Sequence, residues 1–307
     1  MGIDVNAAQL LIRARRLGIP FERVATLGRQ GLHLPPKRLA ALFRAQSWPL
    51  DTDVERRLTG SDSPFADDFL AALGAREVVA IDASAYEGAS IVHDMNCPIP
   101  ASLQNAFDVV FDGGTLEHVF HFPQAIENCM RLVRPGGVFL AFTPTNNFCG
   151  HGFYQFSPEL WYRVLCPENG FRIESVVAWE DVPGSRFFEI PNPETVHSRV
   201  EFLTEKETYL FVQARKLEDI PLLAQPAPQQ SDYVAAWSGP QGGKAPAPFP
   251  PGSWQGRLRE LYHGLGVLKS LRSTVFQRLM DRAYRTGQLR ANVRSYFRPL
   301  LDLRVQG

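Results

Sequence analysis

Between Phe107 and Pro144 the sequence spells out a strand, a glycine turn, a helix and a second strand, and few folds accept that order. Phe107-Asp-Val-Val-Phe111 is an apolar run of strand length, the pattern of a parallel strand buried on both faces. Asp112-Gly113-Gly114 ends it, so a carboxylate and a pliable backbone meet at the carboxyl end of that strand. Ala125, Ile126, Cys129, Met130, Leu132 and Val133 then recur at spacings of three and four, which predicts a helix. Arg131 and Arg134 suit its last turn, and Pro135-Gly136-Gly137 stops it. Val138–Phe142 reads as the second buried strand, closed by Thr143-Pro144. Such a unit is a right-handed βαβ crossover, so the chain belongs to the α/β class.

With 307 residues the chain can bury a full core. Its 32 basic and 32 acidic residues balance, so global charge does not point to nucleic acid. No apolar run approaches the length of a membrane span. Met1-Gly-Ile-Asp-Val-Asn6 lacks the basic and apolar regions of a signal peptide, and Asn6 stands where a myristoylation signal wants Ser or Thr. Cys97, Cys129, Cys149 and Cys166 have no C-x-x-C spacing and sit among core-like residues. They read as reduced structural thiols of a cytoplasmic protein.

Phe107-Asp108-Val109-Val110, Leu116-Glu117-His118 and Arg134-Pro135-Gly136-Gly137 occur in that order within about 38 residues. This set resembles the second half of the nucleotide-binding domain of class I S-adenosylmethionine (SAM) methyltransferases, of the methyltransferase type 11 kind. The resemblance implies a Rossmann-like, seven-stranded, mostly parallel sheet with helices on both faces. It also implies SAM as cofactor.

Upstream, residues 6–17 form an amphipathic pattern that Asn6 can cap. Phe21–Leu27 is the natural first strand, followed by Gly28-Arg29-Gln30-Gly31. In the resembled family a G-x-G-x-G loop stands here, where absent side chains let the backbone approach the cofactor at a helix N-terminus. This chain departs from that pattern, and two readings stay open. Gly28 and Gly31 still permit a close turn, with Gln30 offering an amide to the ligand; or the pocket has drifted and binds SAM weakly or not at all. Lys37–Gln46 and Phe65–Leu73 are predicted helices of an insert before the next strand, Arg76–Asp82.

Asp82 ends that strand where an acidic residue can accept both ribose hydroxyls. A third, short strand, Ser90–Asp94, ends at Asp94-Met95, which resembles the family's pair that bonds the adenine amino group and packs its ring. Asp112, Gly113 and Gly114 complete an acidic rim of strand ends, the edge where ligands bind in open α/β sheets.

Residues 146–156, Asn-Asn-Phe-Cys-Gly-His-Gly-Phe-Tyr-Gln-Phe, are dense in aromatics and amides, and they follow a strand end. They are expected to face a substrate, with Tyr154 and Gln155 as contacts, or to plug the sheet edge. Cys149 and His151 have no further ligands near them in sequence, so no metal site is expected. Ser157-Pro158-Glu159 starts another helix, and Phe171–Glu180 and Thr208–Arg215 read as a closing antiparallel hairpin. Eight prolines between Lys216 and Pro251 indicate a linker, 217–253. Residues 254–307 hold eleven basic residues against three acidic ones, with leucines spaced for a helical stripe. That extension is expected to dock on the preceding domain (1–216), on a protein partner, or peripherally on an anionic membrane.

The function so implied is SAM-dependent methyl transfer to a small molecule or a glycan, with His118 or His151 as a base for an oxygen nucleophile. The alternative is a non-catalytic methyltransferase-like protein whose altered loop has lost the cofactor and whose fold serves binding or assembly. A nicotinamide-dependent enzyme is disfavoured, since the first loop lacks G-x-G-x-x-G.

Overall fold

The computed structural model of the chain describes residues 2–48, 50–182, 184–196, 199–200, 204–223, 227–238 and 298–299. In chain order its strands are β1 (Gly2–Ile3), β2 (Arg23–Leu27), β3 (Gly31–Leu32), β4 (Glu77–Asp82), β5 (Ile91–Val92), β6 (Phe107–Asp112), β7 (Val133–Asn146), β8 (Phe171–Glu180), β9 (Phe188–Glu189), β10 (Thr208–Lys216) and β11 (Arg298–Pro299). The helices are α1 (Val5–Arg16), α2 (Pro36–Ala45), α3 (Thr52–Gly60), α4 (Asp67–Ala72), α5 (Phe122–Leu132), α6 (Pro158–Val164) and α7 (Ser231–Ser238).

The main sheet runs β11-β9-β8-β10-β7-β6-β2-β4-β5. Strands β5, β4, β2, β6 and β7 are parallel, while β10 pairs antiparallel with both β7 and β8. The expected seven strands are therefore present as β5 to β8, but the sheet is longer than expected. Two-residue β9 extends it to eight strands, and the Arg298–Pro299 pairing to nine. That pairing is the one part of the expected 254–307 helical extension within the described residues.

Period-two alternation distributes the strand residues between two cores. Val138, Leu140 and Phe142 of β7 point into a core shared with α1, α2 and α4, whereas Phe139 and Ala141 join α5 and α6 on the other face. Both faces are thus buried, as a parallel sheet requires. Helix α5 buries Ala125, Ile126, Cys129 and Met130 at the spacing read from the sequence.

Local details differ from the sequence reading. Asp4, not Asn6, caps α1: its carboxylate accepts from the Ala7 N–H at 2.7 Å, and Asn6 is buried inside the first turn. The polar stretch after α2 contains α3, capped by Asp51. Pro135-Gly136-Gly137 lies inside β7 as an irregularity, because pairing with β6 already begins at Val133. All four cysteines are free, but Cys97 and Cys149 are exposed and not in the core. Within residues 217–253, Ser231–Ser238 is helical, and Ser231 is tied by its N–H and hydroxyl to the Glu159 carboxylate.

Candidate functional site

Going out from the sheet centre, the chain's order reverses between β2 and β6. A crevice opens at such a switch point, outside the carboxyl ends of the strands. Gly28 leaves β2 with φ +68°, and its N–H donates to the Ile81 carbonyl at 2.7 Å. A Cβ there would stand 3.6 Å from Asp82 Oδ2 and 3.4 Å from Thr115 Oγ1. Asp82, half-buried at the end of β4, spends one oxygen on the Ser84 N–H at 3.2 Å. Gly28 and Asp82 thus converge on one open strand edge.

The rest of the expected loop is built differently. Gly31 does not lead into a helix: it pairs with Gly2 in the two-stranded β1–β3 sheet, and α2 starts only at Pro36. Gln30 is 5% exposed, and its amide N–H donates to the Leu27 carbonyl at 2.6 Å. Its Oε1 has no hydrogen-bond partner among the described residues and lies so close over Gly113 that a Cβ on Gly113 would overlap it. Gln30 therefore packs into the crevice between the ends of β2 and β6.

Asp94 is exposed just past β5, and Asn96 donates to it from backbone and side chain, which holds its carboxyl below the usual range. Met95 is 5% exposed and packs in the core beneath. Asp112 is fully buried; Oδ1 accepts from the Thr115 N–H at 2.8 Å, and burial pushes its acid up to about 7. Gly114 completes the turn with φ +102°.

That turn feeds a single 3-10 turn, Leu116–His118, which points Glu117 inward and His118 outward. Glu117 has no exposed surface, and neither of its carboxylate oxygens has a hydrogen-bond partner among the described residues. Burial, with the Asp112 charge nearby, pushes its acid up to about 8. His151 Nε2 stands 3.6 Å from Glu117 Oε1. The His118 and His151 rings meet edge to face at 4.8 Å, and burial together with His151 lowers the His118 pKa. The structure thus brings the two candidate histidines together, from loops 33 positions apart. It adds Glu117, which sequence reasoning treated only as part of a motif.

The 146–156 loop is a folded element. Phe153 donates its backbone N–H to the Glu117 carbonyl at 2.7 Å, the Tyr154 hydroxyl donates to the Phe120 carbonyl at 2.6 Å, and Gln155 Oε1 accepts from the Phe148 N–H at 2.8 Å. The expected substrate contacts Tyr154 and Gln155 therefore spend polar atoms on holding the loop. Phe148 lies 5.8 Å from the His151 ring and 4.6 Å from the Tyr209 ring. Tyr209 borders a cavity of about 230 Å³ with Gly113, Phe142, Trp179, Asp4 and Asp181. Nothing in the sequence pointed to this cavity, which is lined from β1, α1, β7, β8 and β10 and from the residues that follow β3 and β6.

No helix of the described residues is long and apolar enough to cross a membrane. Residues 65–141 match the profile of a family described as a methyltransferase domain. No curated protein sequence matches the chain. Among solved structures, the chain is similar to the branched-chain polyamine synthase from Thermus thermophilus, in complex with N4-aminopropylspermidine and 5'-methylthioadenosine. That match has 15% identity and a TM-score of 0.38, covering 72% of this chain but only 60% of the synthase. A putative methyltransferase from Bacillus halodurans matches at 12% identity and TM-score 0.37, over 69% of this chain and 99% of that one. The Burkholderia thailandensis 1,6-didemethyltoxoflavin-N1-methyltransferase, with S-adenosylhomocysteine bound, matches at 17% identity and TM-score 0.37, over 69% and 77%.

Proposed function

We propose that this chain is a SAM-dependent methyltransferase acting on a small-molecule or glycan acceptor, in the cytoplasm. The observation that carries the reading is the convergence of Gly28 and Asp82 at adjacent strand ends. Gly28 ends β2 at the edge of the switch-point crevice, Asp82 ends the neighbouring β4, and Asp82 lies within the segment that matches the methyltransferase domain. Asp82 keeps one oxygen for a ribose hydroxyl and Asp94 stands exposed at the adenine end, while Gly113 and Gly114 are buried and become reachable only where Gln30 turns aside. Asp112 shapes the turn that presents them. The residues fit the cofactor with one reservation of space: Gln30 occupies part of the crevice and must turn aside.

SAM supplies a methyl carbon made electrophilic by its sulfonium. This chain's task is to align an acceptor with it, and alignment alone is worth several kcal/mol in well-oriented systems, on the order of 7 or more. The cavity bordered by Tyr209, Trp179, Asp4 and Asp181 has room for one small ring and offers carboxylates to hydroxyl or amino groups. His118, exposed and inclined to the neutral form, can take the acceptor's proton.

One observation favours the non-catalytic alternative: the Gln30 side chain fills the place above Gly113 and holds the Leu27 carbonyl. Incubating the purified chain with SAM and a panel of hydroxyl, amine and thiol acceptors separates the two. Acceptor-dependent release of S-adenosylhomocysteine is expected. Binding of partners without any turnover or SAM affinity would favour the alternative.

A further inference from the structure

We propose that Glu117, His118 and His151 form a binding site for a divalent transition-metal ion at the carboxyl edge of β6. Their ligand atoms lie within 4.8 Å of one another. The independent observation is Glu117 itself: it has no exposed surface, neither carboxylate oxygen has a hydrogen-bond partner among the described residues, and one stands 3.6 Å from His151 Nε2, which also has no hydrogen-bond partner among them. A buried carboxylate left unpaired costs several kcal/mol, so such a group is ordinarily paired or bound to a metal.

The geometry needs little adjustment. Metal–ligand bonds of about 2.0–2.2 Å put two ligands of a tetrahedral set roughly 3.5 Å apart. The 3.6 Å between Glu117 Oε1 and His151 Nε2 already has that spacing. His118 is exposed, so its ring is free to turn the remaining distance inward. Two imidazoles and one carboxylate suit Zn²⁺, Fe²⁺, Co²⁺ or Mn²⁺ better than the oxygen-seeking Mg²⁺ or Ca²⁺. Three protein ligands leave coordination positions open, the arrangement of a catalytic rather than a structural site. Outer contacts hold the set: the Glu117 carbonyl accepts from the Phe153 and Tyr154 N–H groups, and Phe148 packs beside His151. Sequence spacing offers no reason to expect a metal here, because the ligand partners of His151 lie 33 and 34 positions upstream.

A chemical role follows if the methyl-transfer reading holds, and this part rests on it. With His118 engaged as a ligand and so not acting as the base, an acceptor hydroxyl bound at an open position would lose its proton to water more readily. Its oxygen then forms the bond to the methyl carbon, while the carbon–sulfur bond breaks and leaves its electron pair on sulfur. Atoms and charge balance without an oxidant.

Metal binding can be tested without SAM. The full chain is stripped with chelator, desalted and titrated calorimetrically with Zn²⁺, and separately with Co²⁺ while its visible absorption bands are recorded. The expected result is one ion per chain, with Co²⁺ bands of nitrogen and oxygen ligation. Loss of an outer-shell partner alone typically costs 10–100-fold in affinity, so His151→Ala, His118→Ala and Glu117→Gln should each weaken binding by about 100-fold or more. His118→Ala changes an exposed residue and keeps the test open should the buried variants fail to fold. Cys149→Ser should leave affinity unchanged. No binding, binding unaffected by the His118 and His151 variants, or binding lost in Cys149→Ser would each overturn the site. A separate SAM titration of the same stripped protein distinguishes failure of the metal site from failure of the methyltransferase reading.

Discussion

The backbone N–H of Phe153 donates to the carbonyl of Glu117 at 2.7 Å, so the aromatic loop is pinned directly to the turn that follows β6. Gly152 makes the approach possible: its φ is +70°, and a Cβ there would stand 2.8 Å from the Glu117 carbonyl oxygen. Gly152→Ala should therefore lift the loop from Glu117 and cost about 1–3 kcal/mol. Urea unfolding measures the loss. An unchanged midpoint would show that the loop contact carries no strain or stability.

Gln30 makes a prediction of opposite sign. Its side chain packs over Gly113 in the crevice assigned to the cofactor. Gln30→Ser gives up the bond to the Leu27 carbonyl, at a cost of about 1 kcal/mol in stability, but opens the crevice. Affinity for S-adenosylhomocysteine should rise in a calorimetric titration. A fall would mean that the amide serves the ligand, as the sequence first suggested.

His118→Ala should lower turnover by on the order of 100-fold or more if this side chain removes the acceptor's proton, with S-adenosylhomocysteine affinity unchanged. Equal turnover would return His118 to a packing role.

Lys216 is fully buried, and its ammonium donates to Asp219 at 2.9 Å, Asn105 at 2.8 Å and the Met130 carbonyl at 3.3 Å. The bonds from Lys216 and Asn105 hold the Asp219 carboxyl below its ordinary 3.8. A carboxyl depressed in the folded state contributes stability above its unfolded pKa and loses it as pH falls through the folded value. Because Asp219 is 54% exposed, the contribution is modest, about 1 kcal/mol. Asp219→Ala should thus melt earlier than the parent at pH 6, with the gap closing below pH 3.8. A gap that persists in acid would mean the loss comes from packing.

The fold was largely legible because its signals are periodic and local. The Val- and Phe-rich strands and the three-and-four spacing of α5 appear where the sequence places them, and so do the β8 and β10 hairpin strands. Helix α3 was not legible because it buries only Leu58, so its apolar stripe is a single residue. The α1 cap was misread because Asp4 and Asn6 are equally good caps, and only the burial of Asn6 decides between them. The Gly28 loop resisted reading for a different reason. Whether Gly31 opens a helix or pairs with Gly2 depends on the N-terminal strand, which no local pattern announces. The Glu117–His118–His151 cluster is assembled across two loops by tertiary folding, so spacing could not reveal it.

The most direct test of the central claim is calorimetric titration of the full chain with SAM and, separately, with S-adenosylhomocysteine, repeated on Asp82→Ala. Micromolar binding corresponds to about −8 kcal/mol. Removing a charged acceptor from the ribose should cost about 1.5–3 kcal/mol, or roughly 10–100-fold in affinity. Binding in the parent and a loss of that size in Asp82→Ala is the predicted result. No heat with either ligand at millimolar concentration, or equal affinity in Asp82→Ala, would contradict the assigned pocket.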